Sequence, residues 1–264
     1  MKTTGVITKM QAAYSSPIQY TLNLNDETIS VNQLLEQKIA ISFNHYQCLE
    51  CGKEKEIFAM GCCKNCYFTS PHTGRWVVNP ELSTAHLGIG ERDLAVEEAI
   101  QLQLHIVYLA YTGDVKVGVT RESQIPTRWI DQGATFALPI AKTENRYEAG
   151  MIEVALKEHL ADKTNWRKML EDDFEDDLDL ADFREKIKDY FPDNFKNFYS
   201  MEHEMLRLDY PYEAPEKINS FTLDKKPEFE GILRGIKGQY LSFEGGDFIN
   251  VRGHEGYVIE LNIS

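Results

Sequence analysis

The chain has 264 residues, of which 42% are apolar, and it carries a formal net charge of −14. This length allows one large domain or two to three small ones, and the apolar fraction is typical of a folded protein. No apolar run reaches the roughly 20 residues of a membrane-spanning helix, and the N-terminus lacks the apolar core of a secretory signal. The acidic charge disfavours non-specific binding of DNA or RNA over the whole surface. We therefore expect a cytoplasmic protein with no membrane partner.

Residues 1–44 alternate apolar and polar side chains in three runs, which is the pattern of β-strands with one face in a core. Asn25-Asp26 stands where a turn between two strands is expected. We expect too few strands here for a sheet that is stable alone. Residues 1–44 are therefore predicted to form an N-terminal β segment that needs a partner elsewhere in the chain.

All five cysteines fall between positions 48 and 66, and four of them form two CxxC pairs separated by eleven residues. A CxxC turn directs two thiolates to one point, and a second such turn completes a tetrahedron, the ligand set of structural zinc. Gly52 follows the first pair, as a tight zinc knuckle often requires. Residues 45–70 are therefore predicted to be a zinc knuckle, with the ligands Cys48, Cys51, Cys63 and Cys66.

This segment has alternative interpretations. The cysteines could be reduced and simply buried. Cys62 is the spare thiol and could replace Cys63 as a ligand, although Cys63 preserves the CxxC spacing, and His45 is a weaker substitute. Zinc ribbons bind nucleic acid or serve as scaffolds, so a zinc site alone does not define a function.

Residues 92–170 combine helical and strand-like runs in one central domain. Two β runs are joined by Gly113-Asp114, a hairpin signal, and a short helix, a strand and a longer helix follow. In the longer helix, Glu153 is the one charged residue of the stretch 149–156. A carboxylate among apolar neighbours needs a metal, a base or hydrogen bonds. The alternative is an ion pair with Lys157, four residues later, on an exposed edge.

Residues 171–208 are predicted to be an acidic helical segment. The stretch 171–193 holds eleven acidic and three basic residues and accounts for −8 of the net charge. We predict helices at about 180–190 and 197–208, and the usual role of such a charge run is a solvated helix face. Three prolines between 209 and 228 predict a linker there.

Residues 229–264 alternate again like strands, with Gly245-Gly246 as a turn signal. This C-terminal β segment, like the one at the N-terminus, has too few strands to be stable alone. We therefore predict that residues 1–44 and 229–264 pair into one small barrel or sandwich. Two independent flaps on a central domain are the alternative.

The central domain carries short motifs in a particular order. Ile106-Val107-Tyr108 and Lys116-Val117-Gly118 lie on the two strands of the predicted hairpin, and Arg128 follows on the short helix. Glu153 then precedes Asn165 by twelve residues. In this order, residues 105–165 resemble the GIY-YIG nuclease domain.

The resemblance implies a role for each of these side chains. A metal ion and an arginine would neutralise the charge that develops on a phosphoryl group. By resemblance, Glu153 would hold one divalent metal ion, magnesium or manganese, Arg128 would steady the scissile phosphate, Tyr108 would position or deprotonate the attacking water, and Asn165 would support the site. Lys116 stands where the family has the second tyrosine of its site. It could bind a phosphate, act as a base if its pKa is depressed, or mark the loss of cleavage.

The whole chain also resembles a bacterial family known only as a domain of unknown function. The cysteine cluster, Arg92-Asp93 and the run GIKGQYL near the C-terminus are among the residues that carry this resemblance. It implies a shared architecture, including zinc, and brings no established activity.

Together these features predict an α+β fold that contains a zinc knuckle, a GIY-YIG-like small mixed sheet with flanking helices, and a β module formed by the N- and C-terminal segments. The expected function is that of a metal-dependent nuclease, or of a protein derived from one, acting on DNA or RNA. The first alternative is a non-catalytic zinc-containing module that binds nucleic acid or protein. The second is an interaction protein whose acidic helices dock a basic partner.

Overall fold

The computed structural model describes residues 1–25, 27–160, 165–174 and 178–264, and its fold is mixed α plus β. The chain divides into two units. The first unit consists of Met1–Thr69 and Asp209–Ser264, and the second unit is Ser70–Leu208. In the described part of the chain, no helix has both the length and the apolar composition of a membrane span.

The strands are numbered in chain order. They are β1 (Lys2–Val6), β2 (Gln11–Ala13), β3 (Gln19–Leu24), β4 (Glu27–Ser30), β5 (Lys38–Tyr46), β6 (Ile57–Ala59), β7 (Cys62–Cys63), β8 (His105–Tyr111), β9 (Val115–Arg121), β10 (Phe136–Thr143), β11 (Leu206–Arg207), β12 (Asn219–Ser220), β13 (Glu228–Lys237), β14 (Tyr240–Phe243), β15 (Asp247–Asn250) and β16 (Tyr257–Ile263).

The α-helices of the described residues are short, and α5 is the longest. They are α1 (Lys64–Thr69), α2 (Arg75–Val78), α3 (Leu94–Gln101), α4 (Thr127–Asp131), α5 (Arg146–Lys157), α6 (Trp166–Glu171) and α7 (Leu180–Ile187). Short 3-10 helices lie at Val31–Leu34, Pro71–Thr73, Pro80–Leu82, Ala85–Leu87, Glu122–Gln124, Lys188–Tyr190, Asp193–Phe198 and Arg252–His254.

The main sheet of the first unit has the strand order β1-β16-β5-β13-β14-β15-β12. Strand β16 pairs antiparallel with β1 on one side and with β5 on the other, and β13 pairs with the opposite edge of β5. Strands from both ends of the chain therefore lie side by side in one sheet, where each end supplies the neighbours that the other lacks.

A second sheet of the first unit, with the order β2-β3-β4, packs close to β1. The alternate residues Tyr20, Leu22 and Leu24 of β3 are buried, as expected for a strand with one face in a core. Gly5 of β1 lies against the backbone of Leu24, where an added Cβ would be 2.7 Å from the carbonyl carbon. A side chain at position 5 would therefore separate the two sheets. Asn25 precedes β4 at a positive φ, and Asp26, the other residue of the predicted turn, lies outside the described residues.

The second unit is built on the antiparallel sheet β11-β10-β8-β9. Gly113, at a φ of 88°, permits the tight turn between β8 and β9. One face of this sheet forms a core with α5 and α7, whose members include Val107, Leu109, Val117, Val119, Leu138, Ala149, Ile152, Leu156, Leu180 and Ile187. The opposite face of β8 and β9 carries Tyr108, Lys116 and Gly118, because side chains alternate along a strand.

The acidic segment differs from its prediction. Helix α7 and the 3-10 helix after it fall in the first predicted helix, but the second predicted helix, at 197–208, is wrong. There a 3-10 helix ends at Phe198, and Leu206 and Arg207 form β11, which pairs with Phe136 and Ala137 at the edge of β10. The backbone hydrogen bonds that β11 forms at the open edge of β10 stabilise a strand here more than the local sequence pattern stabilises a helix. Residues 175–177 of the acidic run lie outside the described residues.

The predicted linker, residues 209–228, packs within the first unit rather than spanning open solvent. Leu223 is fully buried, and the Asp224 carboxylate accepts hydrogen bonds from the Tyr46 and Tyr257 hydroxyls at 2.6 and 2.7 Å. The prolines therefore shape an irregular path along a sheet, a use of proline that composition does not distinguish from a linker.

Candidate metal centre and polar cluster

Four thiol groups meet in the first unit, between the β6–β7 hairpin and the loop after β5. The sulfur atoms of Cys48, Cys51, Cys63 and Cys66 all lie within 4.8 Å of one another. None of these cysteines is in a disulfide, and only Cys51 is exposed. In a tetrahedral site with Zn–S bonds of about 2.3 Å, the sulfur atoms are about 3.8 Å apart. The four thiols therefore fit a metal ion such as zinc with little movement.

The backbone of this knuckle is shaped to bring the thiols together. Gly52 has a φ of 67°, and an added Cβ would meet no atom within 4 Å, so glycine is favoured here by its backbone conformation and not by space. The Cys63 N–H donates to the Cys48 sulfur at 3.2 Å. Burial alone would raise the pKa of the Cys48 thiol, but the N–H groups of Cys63, Cys51 and Glu50 lower it to about 6. One thiolate is thus favoured before any metal binds.

The two other ligand candidates lie outside this four-thiol group. Cys62 is buried, and burial together with the charge of Cys48 raises its pKa to about 11. His45 lies 3.4 Å from Glu54 through its Nε2 atom and is largely exposed. Neither Cys62 nor His45 belongs to the group of four residues that could hold a metal ion.

In the second unit, Tyr108 is the most deeply buried of the predicted site residues. Its ring stands opposite Gly118 in the β8–β9 pair, where an added Cβ would be 2.7 Å from the tyrosine hydroxyl. The hydroxyl donates to Gln132 Oε1 at 3.0 Å, and Trp129 meets the ring edge-on at a centroid distance of 5.8 Å. Burial raises the pKa of Tyr108, and the positive charge of Arg128 opposes that shift. Tyr108 is therefore held protonated at neutral pH.

Lys116 is a buried amine beside these residues, with only 5% of its surface exposed. Burial and, to a smaller extent, the charge of Arg128 lower its pKa to about 7, against the opposing charge of Glu153. Glu153 also contributes to the pKa of Tyr108. Tyr108, Lys116, Arg128 and Glu153 thus share one electrostatic environment, which we call the polar cluster. Arg128, on α4, is half-buried and is the member most open to solvent.

Glu153 projects from α5 and is 7% exposed. Burial raises its pKa, whereas the nearby charges of Lys157 and Arg146 lower it. Lys157 Nζ lies 3.4 Å from Glu153 Oε2, so the ion pair considered from sequence is present, but its carboxylate is buried and not on an exposed edge. No protein hydrogen bond reaches Glu153 Oε2 from the described residues. Among the described residues, the Lys157 ammonium is therefore the close polar partner of this oxygen, at a distance too long and an angle too poor for a regular hydrogen bond.

Asn165 has a different environment from the other four predicted residues. Its side chain caps α6, accepting from the backbone N–H groups of Arg167 at 3.1 Å and Lys168 at 3.5 Å. Asparagine is among the preferred N-cap residues, and this role engages its carbonyl oxygen. Asn165 is exposed, and its hydrogen bonds in the described part of the chain do not reach the polar cluster. Thr164, the residue before it, lies outside the described residues.

Two charged residues near the cluster had no sequence prediction. Arg146 is half-buried at the start of α5, where desolvation lowers its pKa to about 10 and the charge of Glu153 opposes that shift. Glu81, from the 3-10 helix Pro80–Leu82, acts on the pKa of both Arg146 and Glu153. Arg146 lies seven residues before Glu153, a helical spacing that places both on one face and that the sequence does contain. Glu81 has no comparable periodic signal.

The fold and its two sites define a mixed α plus β protein with a four-thiol group in one unit and a buried polar cluster in the other. The chain belongs to the family described as Protein of unknown function (DUF2797), whose model matches residues 36–259. The match includes the four cysteines and every member of the polar cluster. No curated protein and no solved structure matches the chain significantly.

Proposed function

We propose that the polar cluster is a GIY-YIG-like, metal-dependent nuclease site that acts on DNA or RNA. The observation that carries this proposal is that Tyr108 and Lys116, on one face of the β8–β9 hairpin, both lie close enough to Arg128 and Glu153 for those two charges to act on their pKa values. Their order along the chain also supports it, since a hairpin carries the first two, a short helix the third and a later helix the fourth.

The charges of the cluster suit a phosphodiester. Arg128 and Arg146 bring positive charge to one place in a chain whose net charge is −14, and Lys116 adds to it when its amine is protonated. Arginine and lysine stabilise the negative charge that develops on a phosphoryl group during attack. The buried, incompletely bonded carboxylate of Glu153 offers the oxygen ligand that magnesium or manganese prefers. Such an ion, when bound, supplies Lewis-acid activation of the phosphate.

The protonation states assign different roles to the two polar residues of the hairpin. A general base works best when its pKa lies near the working pH, and the pKa of Lys116 is about 7. Its neutral amine can therefore accept a proton from the attacking water. Tyr108 is a poor base because burial raises its pKa, and its hydroxyl is already bonded to Gln132. We assign Tyr108 to positioning and Lys116 to proton transfer.

Binding without cleavage is the second candidate, and the burial of Tyr108 favours it. This residue has no exposed surface, so a substrate cannot reach its hydroxyl without movement of the neighbouring side chains. In that case Arg128 and Lys116 hold a phosphate of DNA or RNA, and no bond is broken. The two candidates share a binding site and differ in the role of the metal.

For the first unit we propose a structural zinc ion on Cys48, Cys51, Cys63 and Cys66. Four thiolates leave no open coordination position, which suits a structural and not a catalytic ion. The hairpin β6–β7 and helix α1 are too short to form a core of their own, so metal binding would contribute to their folding. Free thiols at all five cysteines agree with a reducing compartment such as the cytoplasm.

A cleavage screen tests the nuclease proposal. Wild-type protein is incubated with duplex DNA, branched DNA and structured RNA, each with magnesium, manganese or a chelator. We expect metal-dependent cleavage of at least one substrate, and Glu153→Gln should lower the rate by at least about a hundredfold because a metal ligand is lost. The matched control is Glu158→Gln, which makes the same change at an exposed position just after the same helix. Binding with no cleavage by the wild type would favour the second candidate.

A further inference from the structure

Helix α5 packs one side against the segment that runs from α2 to the 3-10 helix Pro80–Leu82. Gly150 permits the close approach, because an added Cβ would lie 2.3 Å from the backbone nitrogen of Glu81 and 2.4 Å from the carbonyl carbon of Pro80. Real side chains do not approach backbone so closely, so glycine is needed here. Arg146, one turn earlier, donates to the carbonyl oxygens of Trp76 and Val77 at 3.1 and 2.8 Å.

Glu153 lies on this same side of α5. It follows Gly150 by three residues and Arg146 by seven, and helical positions with these spacings share a face. Glu153 is therefore directed toward the segment that carries Glu81. The backbone of Glu81 itself meets α5 at Gly150, less than one helical turn before Glu153.

Both carboxylates have an oxygen atom without a hydrogen bond. Glu81 Oε2 and Glu153 Oε2 are buried, and no hydrogen-bond donor of the described residues satisfies either one. The contact with Lys157 at 3.4 Å partly compensates the charge of Glu153. Burying a carboxylate oxygen without a full hydrogen-bond partner is costly, and a second carboxylate on the segment packed against α5 adds like charge. A divalent cation with oxygen ligands would satisfy both atoms at once.

We propose that Glu81 is a second carboxylate ligand of the divalent cation assigned to Glu153, so that the 3-10 helix Pro80–Leu82 completes the site. This inference rests on the proposed function for the presence of a cation, but it does not require cleavage. It adds a ligand from a part of the chain outside the GIY-YIG resemblance, which covers residues 105–165. It also explains why Gly150 must hold that turn against α5.

Manganese binding to the full-length, zinc-containing protein tests the inference. Free Mn²⁺ is measured by electron paramagnetic resonance during titration. Thiolate sites retain zinc against manganese, so the knuckle should not contribute to the signal. We expect Glu81→Gln and Glu153→Gln each to weaken the tightest Mn²⁺ site by at least about tenfold. Glu81→Asp, which keeps a carboxylate, should recover part of the affinity, and the exposed control Glu158→Gln should change it by less than about twofold.

The outcomes separate this inference from the nuclease proposal. Loss of Mn²⁺ binding in both variants with no cleavage of any substrate would support Glu81 as a ligand and refute the nuclease. Wild-type affinity in Glu81→Gln, together with lost binding in Glu153→Gln, would overturn the inference alone. Absence of a Mn²⁺ site in the wild type would overturn it as well. Near-ultraviolet circular dichroism checks the fold of each variant. If Glu81→Gln is misfolded, the Mn²⁺ affinity of Glu81→Asp tests the inference in its place.

Discussion

Folding strongly changes the protonation of Lys116. In an unfolded chain its amine has the ordinary lysine pKa near 10.5, whereas burial lowers the pKa to about 7 in the folded protein. The unfolded state therefore binds more protons than the folded state between these two values, and stability rises with pH across that window. Below about pH 7 the buried charge destabilises the fold in full, and above about pH 10.5 the effect is absent.

Replacement of this amine by an apolar side chain should remove the pH-dependent cost. We predict that Lys116→Met raises the melting temperature more at pH 6 than at pH 9.5, by several degrees, relative to wild type. Thermal unfolding at both pH values measures this difference. Lys142→Met is the matched control, because Lys142 is exposed and pairs with Glu122 at the surface. Equal changes at both pH values would show that the Lys116 pKa is not depressed.

Sequence patterns predict some residues in and around the polar cluster and miss others. The Gly113-Asp114 signal indicates the hairpin, and its register puts Tyr108 opposite Gly118 on one face. Glu81 lies in a three-residue 3-10 helix, which has no period to detect, and its neighbours depend on the long-range contact with Gly150. Asn165 is the opposite case. Its place in the sequence matches the family's motif, but in the structure its side chain caps helix α6.

Among the elements, the knuckle of β6, β7 and α1 is the one whose stability we expect to depend most on a metal ion, if its four thiols bind one as we propose. Its four thiols are adjacent, but the segment contributes few other buried apolar side chains. The two CxxC pairs made this grouping predictable from sequence, because the ligand spacing is local. The strand β11 was not predictable in the same way, since its two residues pair with an edge about 70 positions away.

The knuckle should therefore lose its metal when one thiol is removed. We predict one zinc per chain in freshly purified protein, and loss of that zinc with lower solubility in Cys48→Ser and Cys66→Ser. The control is Cys62→Ser, which removes a buried thiol outside the group of four and should retain zinc. Elemental analysis of the three variants and the wild type makes the measurement. A wild type without zinc, or equal zinc in Cys48→Ser, would refute the assignment.

At the scale of the whole molecule, charge is distributed unevenly. The stretch 171–193 accounts for −8 of the net charge of −14, whereas in the same unit Lys116 and Arg128 of the polar cluster have Arg146 near them. An acidic surface repels nucleic acid at most points, so binding should depend on this one cationic site. We therefore expect nucleic acid to bind weakly over most of the surface, and its binding at the polar cluster to depend strongly on a few basic residues.

The most direct test of this account is the affinity for labelled DNA and RNA, measured by fluorescence anisotropy in a metal chelator. Arg128 is half-buried in the polar cluster, whereas Lys142 is exposed on β10, and replacement of either by alanine removes one positive charge. We predict that Arg128→Ala weakens binding of the best substrate by about tenfold, or about 1.4 kcal/mol, and that Lys142→Ala weakens it by less than about twofold. Equal losses in the two variants, or no binding of any substrate by the wild type, would contradict the claim that the polar cluster holds a phosphate.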